Sequence, residues 1–359
     1  MRFAFTDDQL AFRDAVRDLL AKECAPEVVR AAWPDGTDEH GARKGEGARA
    51  DAAQVAKVWA DLAEMGVLGV CVPEAHGGLG LAETDWVLLA EETGYAALPH
   101  PFVETACVVA PLLGEVGDPH EVLGDLVAGA RQAGVVPLTG ALVPWGDAVT
   151  YLVAIDHHPA ATDAWTARRI TAGVALGDGA EHRRPLADAL DAGRHVVALG
   201  AWKTEGVLGS AADAERAFDR GALATAAQLV GLGRRLLDLT VGYVAERRQF
   251  GTPVGAQQAV KHHLADVAMQ LRFAAPAVYG AAWSLATGAP TAGRDVSMAK
   301  ALASDAARLA VRNSLQCHGA IGYTVEYDLH LYLKRAEALS RTWGDAAWHR
   351  RRVAVALGI

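Results

Sequence analysis

No apolar run in this chain is long enough to cross a bilayer; a typical one, Thr105–Leu113, is nine residues, and a spanning helix needs about 20. That excludes a transmembrane helix. Cysteine is scarce, and Cys24, Cys71, Cys107 and Cys317 show neither CxxC nor metal-type spacing. A disulfide framework and a zinc site are therefore not expected, and reduced thiols in a cytosol are. Basic charge is in deficit: 34 Lys and Arg against 43 Asp and Glu give a net charge of −9, which argues against general binding to nucleic acid or anionic membranes. The start, Met1-Arg-Phe-Ala-Phe-Thr-Asp-Asp, turns acidic too early for a signal peptide. Internal repeats and low-complexity tracts are also missing.

What is present is a globular composition. The chain has 359 residues, 51% hydrophobic and 21% charged, enough for two or three domains around a large core. Thr6-Asp-Asp-Gln9 can form a capping box, with Phe12, Val16 and Leu19 following at helical spacing. A polar, Gly-rich loop after Trp33 precedes a helix carrying Val55, Trp59, Leu62 and Met65, with Gly66 as its stop. Another helix is expected over Glu83–Gly94, and further helices to about Leu126. Between Gly134 and Leu208 the pattern changes to short β-branched runs: Gly134–Leu138, Val149–Ile155 and His195–Leu199 read as strands. His157-His158 would point to opposite faces of a strand and have no evident third ligand, so no metal site is assigned. From Ala211 the pattern is helical to the end: a long helix to Arg247 with internal glycines, a second after Gln257 that should kink or end near Pro276, a third over Arg294–Cys317 and a fourth over Asp345–Leu357.

The densest cluster of chemistry is Tyr243-Val-Ala-Glu-Arg-Arg-Gln-Phe250-Gly-Thr-Pro253 with Gln257-Gln258. Gly251 and Pro253 mark a sharp turn between two helices. An arginine fork suits a phosphate, an aromatic suits a flat ring, and glutamine suits adenine or ribityl hydroxyls. The same arginines would equally suit the negative end of a helix dipole.

Arg247-Arg-Gln-Phe-Gly with Gln258 resembles the R-x-x-F-G…Q segment of acyl-CoA dehydrogenases. Gln316-Cys-His-Gly319-Ala-Ile-Gly322-Tyr-Thr-Val-Glu326-Tyr resembles the family's Q-x-x-G-G-x-G-Y-x-x-E-[YF]. Gly69-Val-Cys-Val-Pro73-Glu-Ala-His-Gly77-Gly78-Leu-Gly80 resembles its G-[LV]-x-V-P-E-x-x-G-G-x-G loop. The resemblance implies a mainly α protein with a small central β domain: an N-terminal helical domain (1–126), a shortened middle β domain (127–208) and a C-terminal helical bundle (209–359). It also implies FAD-dependent α,β-dehydrogenation of an acyl-CoA thioester, with electron-transfer flavoprotein as acceptor. Arg247, Phe250, Gln258, Gln316 and Gly319 would hold FAD, and in this family they reach the flavin of a neighbouring subunit. Ala320 stands where the family has a second Gly, which crowds backbone approach to a phosphate.

The chemistry of the family needs a carboxylate base, and here the resemblance fails. The two places where members carry the catalytic Glu hold Trp343 and Gly221. Asp345, Asp219 and Glu215 lie near those places; the plainer role for Asp345 is to cap the last helix. The ring-covering T-E-[PAK]-x-x-G-S-D and W-[IV]-[TS]-N segments are missing from the β region. The expectation is a cytoplasmic subunit without a catalytic residue. It would lend flavin contacts to a paralogous acyl-CoA dehydrogenase chain in a heterotetramer, of the type that acts on lipid or sterol side chains in actinobacteria. The alternatives are a self-sufficient homotetramer with a displaced base such as Asp345, or a non-enzymatic scaffold. The acyl chain is not readable from the sequence.

Overall fold

The capping box at Thr6 opens the first helix as the sequence predicts. Gln9 N donates to Thr6 Oγ1 (3.2 Å) and Thr6 N donates to Gln9 Oε1 (2.9 Å), starting α1 (Asp7–Glu23). The structure, a computed structural model, describes residues 4–33, 46–137, 142–156, 169–173, 183–185, 189–199 and 204–359. Next come α2 (Pro26–Ala31) and α3 (Glu46–Glu64), after which Gly66 turns with φ 76°. The Gly69–Gly80 loop is stitched back on itself: Leu79 N donates to Gly69 O (2.9 Å), Gly80 N to Val72 O (2.8 Å) and Leu81 N to Val70 O (2.8 Å). A Cβ at Gly78 would lie 2.1 Å from Val72 O, so this glycine is required by close backbone approach. Helix α4 (Glu83–Tyr95) follows, then a π-helical segment (Val103–Val109), α5 (Ala110–Val116) and α6 (Leu123–Val127).

The strands are β1 (Ala133–Pro137), β2 (Leu142–Val143), β3 (Tyr151–Asp156), β4 (Arg169–Gly173), β5 (Arg183–Pro185), β6 (Val197–Leu199) and β7 (Thr204–Gly209). One sheet has the order β1-β3-β4-β7 and the other β2-β6-β5. β1 and β3 are parallel, with Val135 opposite Val153, and the other pairs are antiparallel. Three of these strands were legible as apolar runs; the others are short or polar and carry no such pattern. The second sheet and neighbouring residues enclose a small core of their own, including Val143, Trp145, Val149 and Val197. His157-His158 lies outside the described residues.

Helix α7 (Ala211–Glu246) begins at a Ser210–Asp213 capping box. The turn after it carries β8 (Arg248–Gln249) and β9 (Thr252–Pro253), and then come α8 (Gln258–Ala286), α9 (Ala292–His318), α10 (Leu329–Arg341) and α11 (Ala346–Leu357). Helices α7 to α10 pack as a bundle, and α11 lies against α9. Two expectations need correcting. α8 runs through Pro276 to Ala286, because Ala274, Val278, Ala281 and Ala282 on its buried face hold the helix against α9 on both sides of the proline, and that packing outweighs the local cost. The unexpected α10 buries Leu329, Tyr332, Ala336 and Leu339, a 3-4-3 spacing.

Gly221, Gly231 and Gly233 of α7 are contact points, while Gly242 faces open space. A Cβ at Gly231 would sit 1.9 Å from Glu91 O, and one at Gly94 would sit 2.2 Å from Gln228 O, so α4 and α7 touch through backbone. Arg220 reinforces the contact, reaching Glu83 (2.9 Å) and both oxygens of Glu115 (2.9 and 2.6 Å). One apolar core runs unbroken from Val16 of α1 to Leu339 of α10.

Candidate functional site

Five residues expected to meet a flavin stand together at one end of the bundle. Arg247 caps the C-terminus of α7, its N–H donating to Tyr243 O (2.8 Å), and its own carbonyl accepts from Val254 N (2.8 Å). Phe250 tips the turn at φ 51° with its side chain 99% exposed. Gln258 begins α8, whose N-terminus has no side-chain cap. Gln316 and Gly319 end α9, and a Cβ at Gly319 would meet nothing within 4 Å. Tyr243 stacks on His318 with centroids 4.3 Å apart. Asn313 Nδ2 donates to His263 O (2.9 Å). These contacts draw the ends of α7, α8 and α9 into one patch.

The patch fits a phosphate-bearing, flat-ringed ligand. All five side chains or backbones are exposed, and no carboxylate among the described residues pairs with Arg247 or Arg248. The free N–H groups of a 29-residue helix supply a positive pole beside them. Ala320 is exposed as well.

The second pair of positions also converges, elsewhere. Gly221 lies in α7 and Trp343 in the turn between α10 and α11, yet a Cβ on Gly221 would be 2.5 Å from the Trp343 ring. The indole therefore rests directly on the glycine. Trp343 is in the left-handed region (φ 57°), followed by Gly344 at φ 90°. Two buried groups hold this turn. Lys300 Nζ donates to Gly344 O (3.0 Å), Ser340 O (3.2 Å) and Ser304 Oγ (3.2 Å); burial pushes its pKa down to about 7. His349 Nε2 donates to Trp343 O (2.8 Å), which fixes its tautomer. Burial, and then the charge of Lys300, depress its pKa to about 3.

None of the nearby carboxylates stands free at this place. Asp345 is the cap of α11, accepting from Trp348 N at 2.7 Å, and it is exposed. Asp219 is bound by Arg352, whose Nη2 also reaches Glu215 (3.1 Å). Burial raises the Asp219 pKa despite that arginine.

Beside Trp343 is a cavity of about 280 Å³ walled by Val135, Pro144, Ile155, Phe218 and Trp343, with the exposed Leu142 on its rim. Among the described residues one ionisable side chain, Glu104, lines it. Sequence reasoning missed this residue. Its signal was a single carboxylate inside the apolar stretch Phe102–Leu113. Glu104 is 5% exposed, and burial raises its pKa against the pull of Arg194 and Arg335. Arg194, also missed, ties the neighbourhood to the Trp343 turn, its Nη1 donating to Thr342 Oγ1 (3.1 Å).

Gly221 and Arg247 are 26 residues apart on one helix, roughly 39 Å at 1.5 Å per residue. The fold and these two places define a helical protein with a β insert. It has an exposed patch of arginine, phenylalanine and glutamine side chains at one bundle end and, far from it, a mostly apolar cavity lined by Glu104. Family models for the N-terminal and C-terminal domains of acyl-CoA dehydrogenases match residues 6–121 and 211–358, and the chain belongs to the acyl-CoA dehydrogenase family. It is 30% identical to the acyl-CoA dehydrogenase IpdE2 of Mycolicibacterium smegmatis over 352 residues, 97% of this chain and 98% of that one. In structure it is similar to a chain of the ChsE4–ChsE5 complex from Mycobacterium tuberculosis (TM-score 0.79, 21% identity, 100% and 99% of the two chains covered). It is likewise similar to butyryl-CoA dehydrogenase from Megasphaera elsdenii (TM-score 0.77, 22% identity, 100% of both chains). Among the described residues no helix is long and apolar enough to cross a membrane.

Proposed function

We propose that this chain is the base-less subunit of a heteromeric, FAD-dependent acyl-CoA dehydrogenase. It presents Arg247, Phe250, Gln258, Gln316 and Gly319 to the flavin of a paralogous partner that carries the catalytic Glu. The observation that carries the reading is the separation of roughly 39 Å along α7 between the patch and the Trp343–Gly221 contact. A patch that far from its own cavity serves a cofactor whose ring lies in another subunit. The ChsE4–ChsE5 relative, a complex of two proteins, supports a pairing of unlike chains.

In such a complex FAD, when bound, would supply the two-electron oxidation of the acyl thioester, with an electron-transfer flavoprotein as acceptor. This chain's contribution is to hold and orient. The Arg247 guanidinium and the α8 N-terminus meet the phosphates, Phe250 covers a ring, and Gln258 and Gln316 donate to polar edges. Proton abstraction is assigned to the partner on the ground that the two places expected to hold the catalytic Glu carry Trp343 and Gly221 and that Asp345 is engaged as a cap. The domain division 1–126, 127–208 and 209–359 accompanies this reading.

The test is the visible spectrum of the chain purified alone and after co-expression with its paralogue. Flavin absorbance is expected only in the co-purified complex, and Arg247→Ala should lower flavin retention there by tenfold or more (about 1.4 kcal/mol or above for a lost charge-assisted contact). Flavin held by the isolated chain, or unchanged retention in Arg247→Ala, would overturn the proposal.

A further inference from the structure

Glu104 is a carboxyl group placed where an apolar side chain would be cheaper. Its segment, Val103–Val109, is π-helical, a distortion that re-aims side chains and is frequent at functional sites. No other side chain among the described residues donates a hydrogen bond to it. On one side the carboxyl faces the 280 Å³ cavity, whose other described walls are apolar apart from Thr342, and the Thr342 hydroxyl is engaged by Arg194 and Ala338 O. On the other it borders a void of about 10 Å³ shared with Arg194, Thr225 and Gln228. In that void the Thr225 hydroxyl and Arg194 Nε have no protein partner, and the space is about that of one water molecule. The carboxyl is met by its own backbone N–H and by the charges of Arg194 and Arg335, which leaves hydrogen-bonding capacity on the cavity side. A hydroxyl-bearing ligand would satisfy it in either protonation state, donating to the carboxylate or accepting from the acid.

We propose that Glu104 is a specificity-determining residue of this cavity. It hydrogen-bonds the single hydroxyl of a compact alicyclic or branched aliphatic ligand whose remaining surface packs on Val135, Ile155, Phe218 and Trp343. The cavity volume, at the small end of ligand pockets, limits that ligand to about one substituted ring. The inference rests on the proposed function only in that proton abstraction falls to the partner, so that Glu104 binds what the cavity holds and does not convert it. It selects a ligand, or a portion of one, by its hydroxyl.

Two probes of nearly equal shape test it: cyclohexanol and methylcyclohexane, which exchange a hydroxyl for a methyl group. Affinities are measured by ligand-observed NMR on the full chain, alone and in the co-expressed complex, for wild type, Glu104→Gln and Glu104→Leu. Leaving a buried polar group unpaired, or pairing it, changes affinity by roughly tenfold. The alcohol-to-hydrocarbon preference should therefore fall at least tenfold in Glu104→Leu while methylcyclohexane still binds. Glu104→Gln, which keeps a hydrogen-bonding group, should keep most of the preference. Retained hydrocarbon binding also reports that Glu104→Leu is folded, although loss of a charge facing the buried Arg194 should lower its thermal midpoint. An unchanged preference in Glu104→Leu, or no binding of either probe to wild type, overturns the proposal. Flavin retention in the same complex is an independent readout. Flavin present with unchanged probe preference refutes Glu104 alone; a shifted preference in a complex without flavin refutes the heteromer and leaves Glu104 standing.

Discussion

Trp343 and Gly221 behave as one feature, because each excludes alternatives at the other. With the indole 2.5 Å from the place of a Cβ on Gly221, any side chain at 221 must displace a ring fixed by a left-handed backbone. Gly221→Ala is expected to cost about 1–3 kcal/mol, the range for overpacking a filled site. In a Trp343→Ala background the same change should cost under about 0.5 kcal/mol, since the two residues share one contact. Urea denaturation of the four proteins of this cycle measures the coupling; additive costs would show that the contact does not fix the turn. At this scale the sequence was informative about identities and silent about proximity. The resemblance places Trp343 and Gly221, neither a carboxylate, where a catalytic Glu is expected. It could not show that they touch, nor that Glu104 stands on the same cavity wall, because contacts across 117 to 239 residues leave no periodic trace.

At the scale of elements, the α10–α11 turn is held from beneath by Lys300 and His349. Lys300 satisfies carbonyls that a helix end leaves orphaned. Lys300→Met should destabilise the chain by about 2–4 kcal/mol through those unpaired acceptors, and a thermal shift assay would detect it. His349 makes the pH dependence specific. Its folded pKa near 3 lies below the unfolded value of about 6.5, so between those values the unfolded chain binds the additional proton. Stability from this group is complete above pH about 6.5 and is lost as pH falls towards 3, at up to roughly 1.4 kcal/mol per pH unit. His100 and His330, each pushed down to about 4 by burial, act in the same direction. Denaturation midpoints measured from pH 7 to pH 4 should fall more steeply for wild type than for His349→Gln; parallel curves would exclude His349 as a contributor. Long helices such as α7 and α9 were legible because their apolar spacing persists over many turns. α10 was passed over although its spacing is regular, and α8 was expected to kink or end near Pro276 because a proline is a local signal, while the packing that carries the helix on to Ala286 is tertiary.

At the scale of the whole molecule, Arg335 joins parts that the chain order keeps apart. From α10 it pairs with Asp191, which is 3% exposed, in the β region. It donates to Leu98 O (2.9 Å) and Ala97 O (3.3 Å) after α4, and lies over the Trp145 ring at 5.1 Å. The β region has only a small separate core, so such ties set how firmly it is seated on the helices around the Glu104 cavity. Arg335→Met would strand the Asp191 carboxylate in a buried place, which costs about 3–5 kcal/mol. Arg335→Met with Asp191→Leu removes both charges and should recover most of that loss. Hydrogen exchange distinguishes this from general weakening. In Arg335→Met, amides of residues 192–199 and of β2 should lose protection before those of α7 and α9, whose core lies elsewhere. Uniform loss across all segments would mean that Arg335 stabilises the molecule without seating the β region. A selective loss in Arg335→Met, together with a weaker alcohol preference at Glu104, would show that the cavity wall depends on this one ion pair.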